Sequence, residues 1–249
     1  MFVAINESTE LLRNLYKTLE NSMPPTDPPT TVKALWPRPT ADPPESDAPF
    51  PNLEFFCKVD RADGTELFII DEDNGRHAMY LARMKTGDST EVALVKFTAK
   101  YHEEAHRLLA GKNLAPTLHS CTRVVGGMYM VVMEYVPKAK GLSLHAAPPP
   151  PLSLGVIRQG IRQALDLLHD KGLVFGDLRE ANVLYLQEDE GRVLLIDFDG
   201  VGQDGVGRYS ASLNPVLRLG VHRRQIMEKV HDRRNLERMM ERLSRKALV

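Results

Sequence analysis

The amino-acid sequence predicts an α+β chain, with antiparallel sheet in its first half and helix in its second. Two patterns predict it. Between Leu53 and Tyr135, short apolar and β-branched runs alternate with glycine-bearing turns, the signature of hairpins. From Leu154 onward, apolar residues recur instead at the spacing of a helix face. Within the second half, Leu173 to Gly200 carries carboxylates and an amide among short apolar runs. These are Asp177, Asn182 five residues on, and Asp197 directly after Val193–Ile196. Oxygen ligands at the ends of short buried strands suit a magnesium–phosphate site, because magnesium takes few protein ligands and shares substrate phosphates for the rest.

Composition sets outer limits. The chain has 249 residues, enough for one large domain or two lobes, and a net charge of −1. No global field therefore favours nucleic acid or a membrane surface, and neither is expected as a partner. The two cysteines, Cys57 and Cys121, read as separate reduced thiols. No apolar run approaches membrane-spanning length, and the N-terminus lacks the basic start and apolar core of a signal peptide. A cytoplasmic location is the expectation, with the nucleus left open.

Taken in order, residues 3 to 20 predict an amphipathic helix, with Ile5, Leu11, Leu12, Leu15 and Leu19 near one face and Asn6 or Ser8 as cap. Ten prolines follow between Pro24 and Pro51. That density forbids regular helix or central strand and favours an extended strap, with Trp36 as an anchor. Strands are predicted over Leu53–Val59, Glu66–Asp71, His77–Met84 and Glu91–Phe97. Asp63-Gly64, Asn74-Gly75 and Thr86-Gly87-Asp88 mark the turns between them. Tyr101–Ala110 reads as a helix stopped by Gly111, and Thr117–Val125 and Met128–Tyr135 as a hairpin across Gly126-Gly127. Pro137–Pro151 is a connector. Leu154–His169 then reads as a helix ended by Lys171-Gly172, and Arg223–Leu243 as a basic terminal helix.

The spacing in Leu173–Gly200 resembles that of the protein-kinase family, whose catalytic loop reads H-R-D-L-x-x-x-N and whose metal segment reads D-F-G. Asp177, Leu178, Asn182, Asp197 and Phe198 match; Phe175-Gly176 replaces His-Arg, and Asp199 replaces the last Gly. Gly176-Asp177-Leu178 is also similar to the loop of small-molecule and atypical kinases such as aminoglycoside phosphotransferases. Taken as a whole, the chain most resembles the divergent kinase-like proteins abundant in fungi, over residues 65 to 240. The resemblance implies a bilobal kinase-like fold with a reduced helical large lobe. Residues 1–50 are then an N-terminal extension, 51–135 the small lobe and 136–249 the large lobe.

The same resemblance implies roles. Lys96, on an otherwise apolar strand, is the lysine that holds the nucleotide's α- and β-phosphates. Its partner is sought on the following helix. Glu104 shares a face with Tyr101 and Leu108, whereas Glu103 shares one with His106 and Arg107, so Glu104 is expected in the cleft. Asp177 orients the attacking hydroxyl and accepts its proton, and Asn182 and Asp197 hold magnesium. Met133, Glu134, Tyr135 and Val136 resemble the hinge that binds adenine. Phe175 and Phe198 are expected to stack with Leu108 between the lobes. Asp232 is expected to accept backbone N–H groups of the catalytic loop.

Three departures qualify these roles. No G-x-G-x-x-G loop exists; the corresponding turn, Asp71–Arg76, is acidic. Gly176 removes the arginine that would pair with a phosphorylated activation loop, so control through Tyr209, Ser210 or Ser212 is not expected. No A-P-E motif follows. The expected function is ATP- and Mg2+-dependent phosphoryl transfer to a hydroxyl, with protein Ser/Thr as leading acceptor. The alternatives are a pseudokinase acting as a nucleotide-binding or interaction module, and a small-molecule kinase.

Overall fold

The chain divides into two compact units, Met1–Leu35 and Trp36–Val249. The computed structural model describes residues 36–42, 50–59, 66–67, 78–146, 153–186, 192–211 and 221–246. The predicted N-terminal helix and the Asp71–Arg76 turn lie outside these residues.

One six-stranded antiparallel sheet dominates the first half, in the order β2-β1-β3-β4-β6-β5. Its strands are β1 (Asn52–Val59), β2 (Glu66–Leu67), β3 (Met79–Thr86), β4 (Ser89–Thr98), β5 (Leu118–Val124) and β6 (Met128–Glu134). Gly87-Asp88 closes β3 onto β4 with Thr86 facing Ser89, and Gly87 takes φ +61°, which a two-residue turn requires. Of the strand predicted at Glu66–Asp71, only the part paired with Lys58-Val59 lies among the described residues.

The period-two alternation gives the sheet two apolar faces. One carries Phe55, Ala82, Met84, Ala93, Val95, Val124, Met130 and Val132, with Trp36 packed against them. The Trp36–Asp42 strap reaches the sheet edge through Thr40 and Asp42, which bond Val125 and Arg123 of β5. Its prolines fit an edge, where a missing N–H costs no ladder bond. The opposite face carries Leu94, Leu118, Val131 and Met133. Lys96 lies two residues beyond Leu94 on β4 and shares this face.

Helix α1 spans Glu103–Ala110. It begins two residues later than predicted, because the His102 ring accepts the Ala105 N–H and caps it. Helix α2, Leu154–Asp170, buries Ala164 together with Ile157, Ile161, Leu165 and Leu168 along one stripe, each of these four larger side chains being worth roughly 1.5–3 kcal/mol. Its other side carries Arg158 and Arg162, both paired to Glu237. Helix α3, Lys229–Lys246, closes the core with Leu236, Met239, Met240 and Leu243. It starts later than the predicted Arg223. Arg224 adopts φ +60°, and residues 224–227 bond the backbone at Gly207 and Tyr209, so they are committed to a turn.

Five short strands accompany these helices: β7 (Gly141–Ser143), β8 (Leu173–Val174), β9 (Val183–Leu186), β10 (Val193–Leu195) and β11 (Gly202–Gln203). β9 pairs with β10 and β7, and β8 with β11. These pairings bring the loops after β8 and after β10 together. Among the described residues, no helix is long and apolar enough to cross a membrane.

Candidate functional site

The loop after β8 is held from two sides. Asp232, fully buried on α3, accepts the Phe175 N–H at 2.7 Å and the Gly176 N–H at 3.0 Å, and meets His169 Nε2 at 3.0 Å. Toward the other end of α3, Arg242 and Lys246 grip the buried Glu180 at 3.3 and 2.7 Å. One helix therefore clamps both ends of the 175–182 loop. Gly176 is left-handed, at φ +74°, and a Cβ there would lie 2.6 Å from the Gly200 carbonyl oxygen. That close approach leaves no room for an arginine, or for any side chain.

Within the loop, the Asn182 amide nitrogen donates to the Asp177 carbonyl at 2.9 Å, which ties the start of the loop to its end. Arg179 Nε lies 3.1 Å from Asp177 Oδ1. The β9–β10 ladder continues through the Ile196 N–H to the Asn182 carbonyl at 3.0 Å, so Asn182 and the start of the Asp197 turn stand side by side.

Asp197 takes φ 71°, ψ 71°, a left-handed conformation that costs a non-glycine residue about 1–2 kcal/mol but that aspartate tolerates better than most. A single 3-10 turn, Phe198–Gly200, follows. The result aims two carboxylates at one amine. Lys96 Nζ is 2.7 Å from Asp197 Oδ1 and 2.6 Å from Asp199 Oδ1, while Asp199 Oδ2 accepts Thr98 Oγ1 at 2.7 Å.

Lys96 does not meet Glu104. Glu104 is exposed, and Glu103 pairs along the helix with Arg107 at 2.8 Å. The cause is the rotation of α1. His106, expected on the wet side, is fully buried and stacks on Phe198 at 4.5 Å with an 8° interplanar angle. Its Nε2 donates to the Pro116 carbonyl at 2.8 Å, and its Nδ1 accepts the Tyr101 hydroxyl at 2.6 Å. Burial lowers its pKa to about 4, so the ring is neutral and this tautomer is the one that satisfies both partners. With His106 inward, Glu104, two residues earlier, points about 200° away. Glu103, one turn before His106, is held by Arg107, and His102 before it is the cap at which the helix begins.

Phe175 completes the stack edge-on to Phe198, at 5.7 Å. His106, not Leu108, is thus the helix member of this aromatic column. Leu108 only flanks the main core, half-buried.

The segment after β6 places Met133 in the interior, against Leu118 and Val131. Glu134 turns away from Lys96, its carboxylate accepting the Thr117 N–H at 3.0 Å. Tyr135 packs with Leu94 against Cys57, Val59 and Leu81. A cavity of about 420 Å³ lies beside Glu134–Pro137, lined also by Thr117, Lys140 and Arg192. It includes none of Lys96, Asp177, Asn182 or Asp197.

Asp197 and Asp199 meet Lys96, and Asp177 meets Arg179, so three carboxylates face two cations, an excess that a divalent cation would neutralise. Asp197 and the oxygen of Asn182, whose nitrogen is committed to Asp177, fit magnesium's preference for few oxygen donors. Among the described residues, no group of three or more His, Cys, Asp or Glu side chains forms a metal centre by itself. Phosphate would have to complete such a site.

Asp199, Thr98, Arg179, Glu180 and His106 were not assigned roles from sequence. Asp199 and Arg179 each stand two residues beyond a motif aspartate, the one signal that pointed to them.

No family model matches the sequence, and no curated protein does. Among solved structures, the chain is similar to the kinase PK-1 of Cydia pomonella granulovirus, with 15% identity and a TM-score of 0.52. The match covers 66% of this chain and 64% of that one, so the chain spans just under two thirds of its neighbour's length. Likeness at this identity shows the fold alone: α+β and kinase-like. The finer resemblance to fungal kinase-like proteins is not addressed by it.

Proposed function

We propose that the chain is an ATP- and Mg2+-dependent phosphotransferase acting on a hydroxyl acceptor, with protein Ser/Thr as the leading acceptor class by analogy of fold. One observation carries the reading. Lys96 from the sheet and Asp197 from the loop after β10, 101 residues apart, meet at 2.7 Å, and Ile196, next to Asp197, bonds Asn182, which in turn bonds Asp177.

In this reading Lys96 holds phosphate oxygens, and Asp197 and Asn182 hold the metal. Bound magnesium supplies charge neutralisation at the transferring phosphoryl group. Asp177 stands at the acceptor position, where it orients the hydroxyl and takes its proton. Arg179, beside Asp177, offers positive charge there. Asp232 and Glu180 keep the loop in place, since displacement by about 1 Å is enough to cost two orders of magnitude in rate. Met133–Val136 supplies backbone groups for the base.

Thermal shift with ATP, with and without magnesium, tests the reading. A magnesium-dependent rise in melting temperature is expected in the wild type and is lost in Asp197→Asn. No shift under any condition removes the nucleotide from the reading. A second reading, a nucleotide-binding module without transfer, is favoured by Lys96 being paired with two carboxylates at once. A magnesium-dependent shift without phosphoryl transfer to any protein or small-molecule acceptor would support it.

A further inference from the structure

We infer that Asp199 is the carboxylate that positions Lys96, and that helix α1 therefore does not gate the site through an ion pair. The inference rests on the phosphotransferase reading and adds a positioning residue to it.

Lys96 and Thr98 lie two apart on β4 and so project from the same face. Both bond Asp199, Lys96 at Oδ1 and Thr98 at Oδ2. Asp199 is thus docked on the sheet by its two oxygens. Asp197 differs in its surroundings: its neighbour Ile196 is tied to Asn182, and its side chain is 9% exposed against 30% for Asp199. The two carboxylates therefore divide the work. Both meet Lys96; Asp197 follows the residue tied to Asn182, and Asp199 is bonded in addition to Thr98 of β4. When phosphate and metal arrive, Asp197 has Asn182 beside it to share a cation, while Asp199 stays bonded to Thr98 and keeps one contact on Lys96.

The two carboxylates of helix α1 are engaged elsewhere: Glu103 is paired along the helix with Arg107 at 2.8 Å, and Glu104 is exposed. Its inward face holds His106, stacked on Phe198, and the helix begins at the His102 cap. The helix and the 197–200 turn are coupled by ring stacking, not by charge. Lys96 is accordingly engaged by the same turn that carries Asp197, so lysine and metal ligand are assembled or lost together.

The test uses the full chain with Asp199→Asn, Asp199→Glu, Thr98→Val and Glu104→Ala, and has two readouts. The first is Mg·ATP affinity by calorimetric titration. Asp199→Asn keeps the shape and an acceptor for Thr98 but removes the charge. A hydrogen bond to a charged group is worth enough that affinity should fall roughly ten- to hundredfold. Asp199→Glu should recover part of the loss, and Glu104→Ala should change nothing. The second readout needs no nucleotide: the rate at which an amine-selective acylating reagent labels Lys96, followed by peptide mass spectrometry. Labelling should quicken severalfold in Asp199→Asn, modestly in Thr98→Val, and not at all in Glu104→Ala. Tighter Mg·ATP binding in Asp199→Asn would overturn the proposal, since Asp199 would then be competing with phosphate for Lys96. Labelling that responds to Glu104→Ala and not to Asp199→Asn would overturn it too. Absence of Mg·ATP binding in the wild type, with the labelling pattern as expected, would instead sink the phosphotransferase reading and leave the placement of Lys96 standing.

Discussion

Replacing Asp232 with alanine should destabilise the protein far more than a typical helix-surface substitution. The carboxylate is fully buried and accepts two backbone N–H groups, from Phe175 at 2.7 Å and Gly176 at 3.0 Å, besides meeting His169. Alanine removes the acceptor of both N–H groups. A buried donor left unsatisfied costs roughly 1–3 kcal/mol, so two cost about 4 kcal/mol. For a chain of this size each kcal/mol moves the melting temperature by about 2–4 °C, so the shift should be roughly 8–16 °C. Asp232→Asn keeps one acceptor and turns an NH2 toward the second donor; it should fall between wild type and alanine. Thermal and urea denaturation by circular dichroism measure both without reference to activity. If Asp232→Ala melted within 2 °C of wild type, the two N–H groups would have found other partners, and the clamp on the 175–182 loop would not be what holds it.

The other predictions rest on the same geometry. Asp177→Asn should spare magnesium-dependent ATP binding but lower transfer by about a hundredfold or more, since a general base contributes typically 10²–10⁴; equal loss of both in calorimetry and labelled-ATP assays would show that Asp177 acts on folding or binding instead. Chelation of magnesium should abolish the ATP-induced thermal shift, and a shift that survives EDTA would refute the metal's role at Asp197. His106 is held neutral, with its pKa lowered to about 4 by burial, so its contribution to stability is complete above pH 6.5 and is lost as pH falls toward 4. That loss is about 3 kcal/mol and should be seen in wild type and be absent from His106→Phe, measured by urea titration at pH 7.5 and 4.5. Ser210→Glu should leave activity unchanged, because Gly176 offers no cation and no space for one; a many-fold rise in transfer would point to Arg208 as a substitute.

Much of the architecture was legible in the sequence because it is local. The Gly87-Asp88 turn and the alternation along β3 and β4 set both the register and the sheet face that Lys96 shares with Leu94. The five-residue spacing of Asp177 and Asn182 is that of a loop closed on itself by an amide-to-carbonyl bond. The stripe of Ile157, Ile161, Leu165 and Leu168 admits one inward face. Element ends were less legible where the tertiary structure uses them. The start of α3 is set by residues 224–227 bonding back to Gly207 and Tyr209, and the start of α1 by the His102 ring.

The partner of Lys96 was decided only by the tertiary structure. Helix α1 has eight residues and polar groups around its circumference, so periodicity says which residues share a face but not which face turns inward. Stacking on Phe198, 92 positions away in sequence, and two buried hydrogen bonds to His106 settle the rotation. That rotation sends Glu104 to solvent and leaves the lysine to Asp199. From sequence, Asp199 read only as a substituted glycine. Its carboxylate acquires a task because a left-handed Asp197 and one 3-10 turn aim it at Lys96 and Thr98 on a strand about a hundred residues earlier, a juxtaposition that no local pattern encodes.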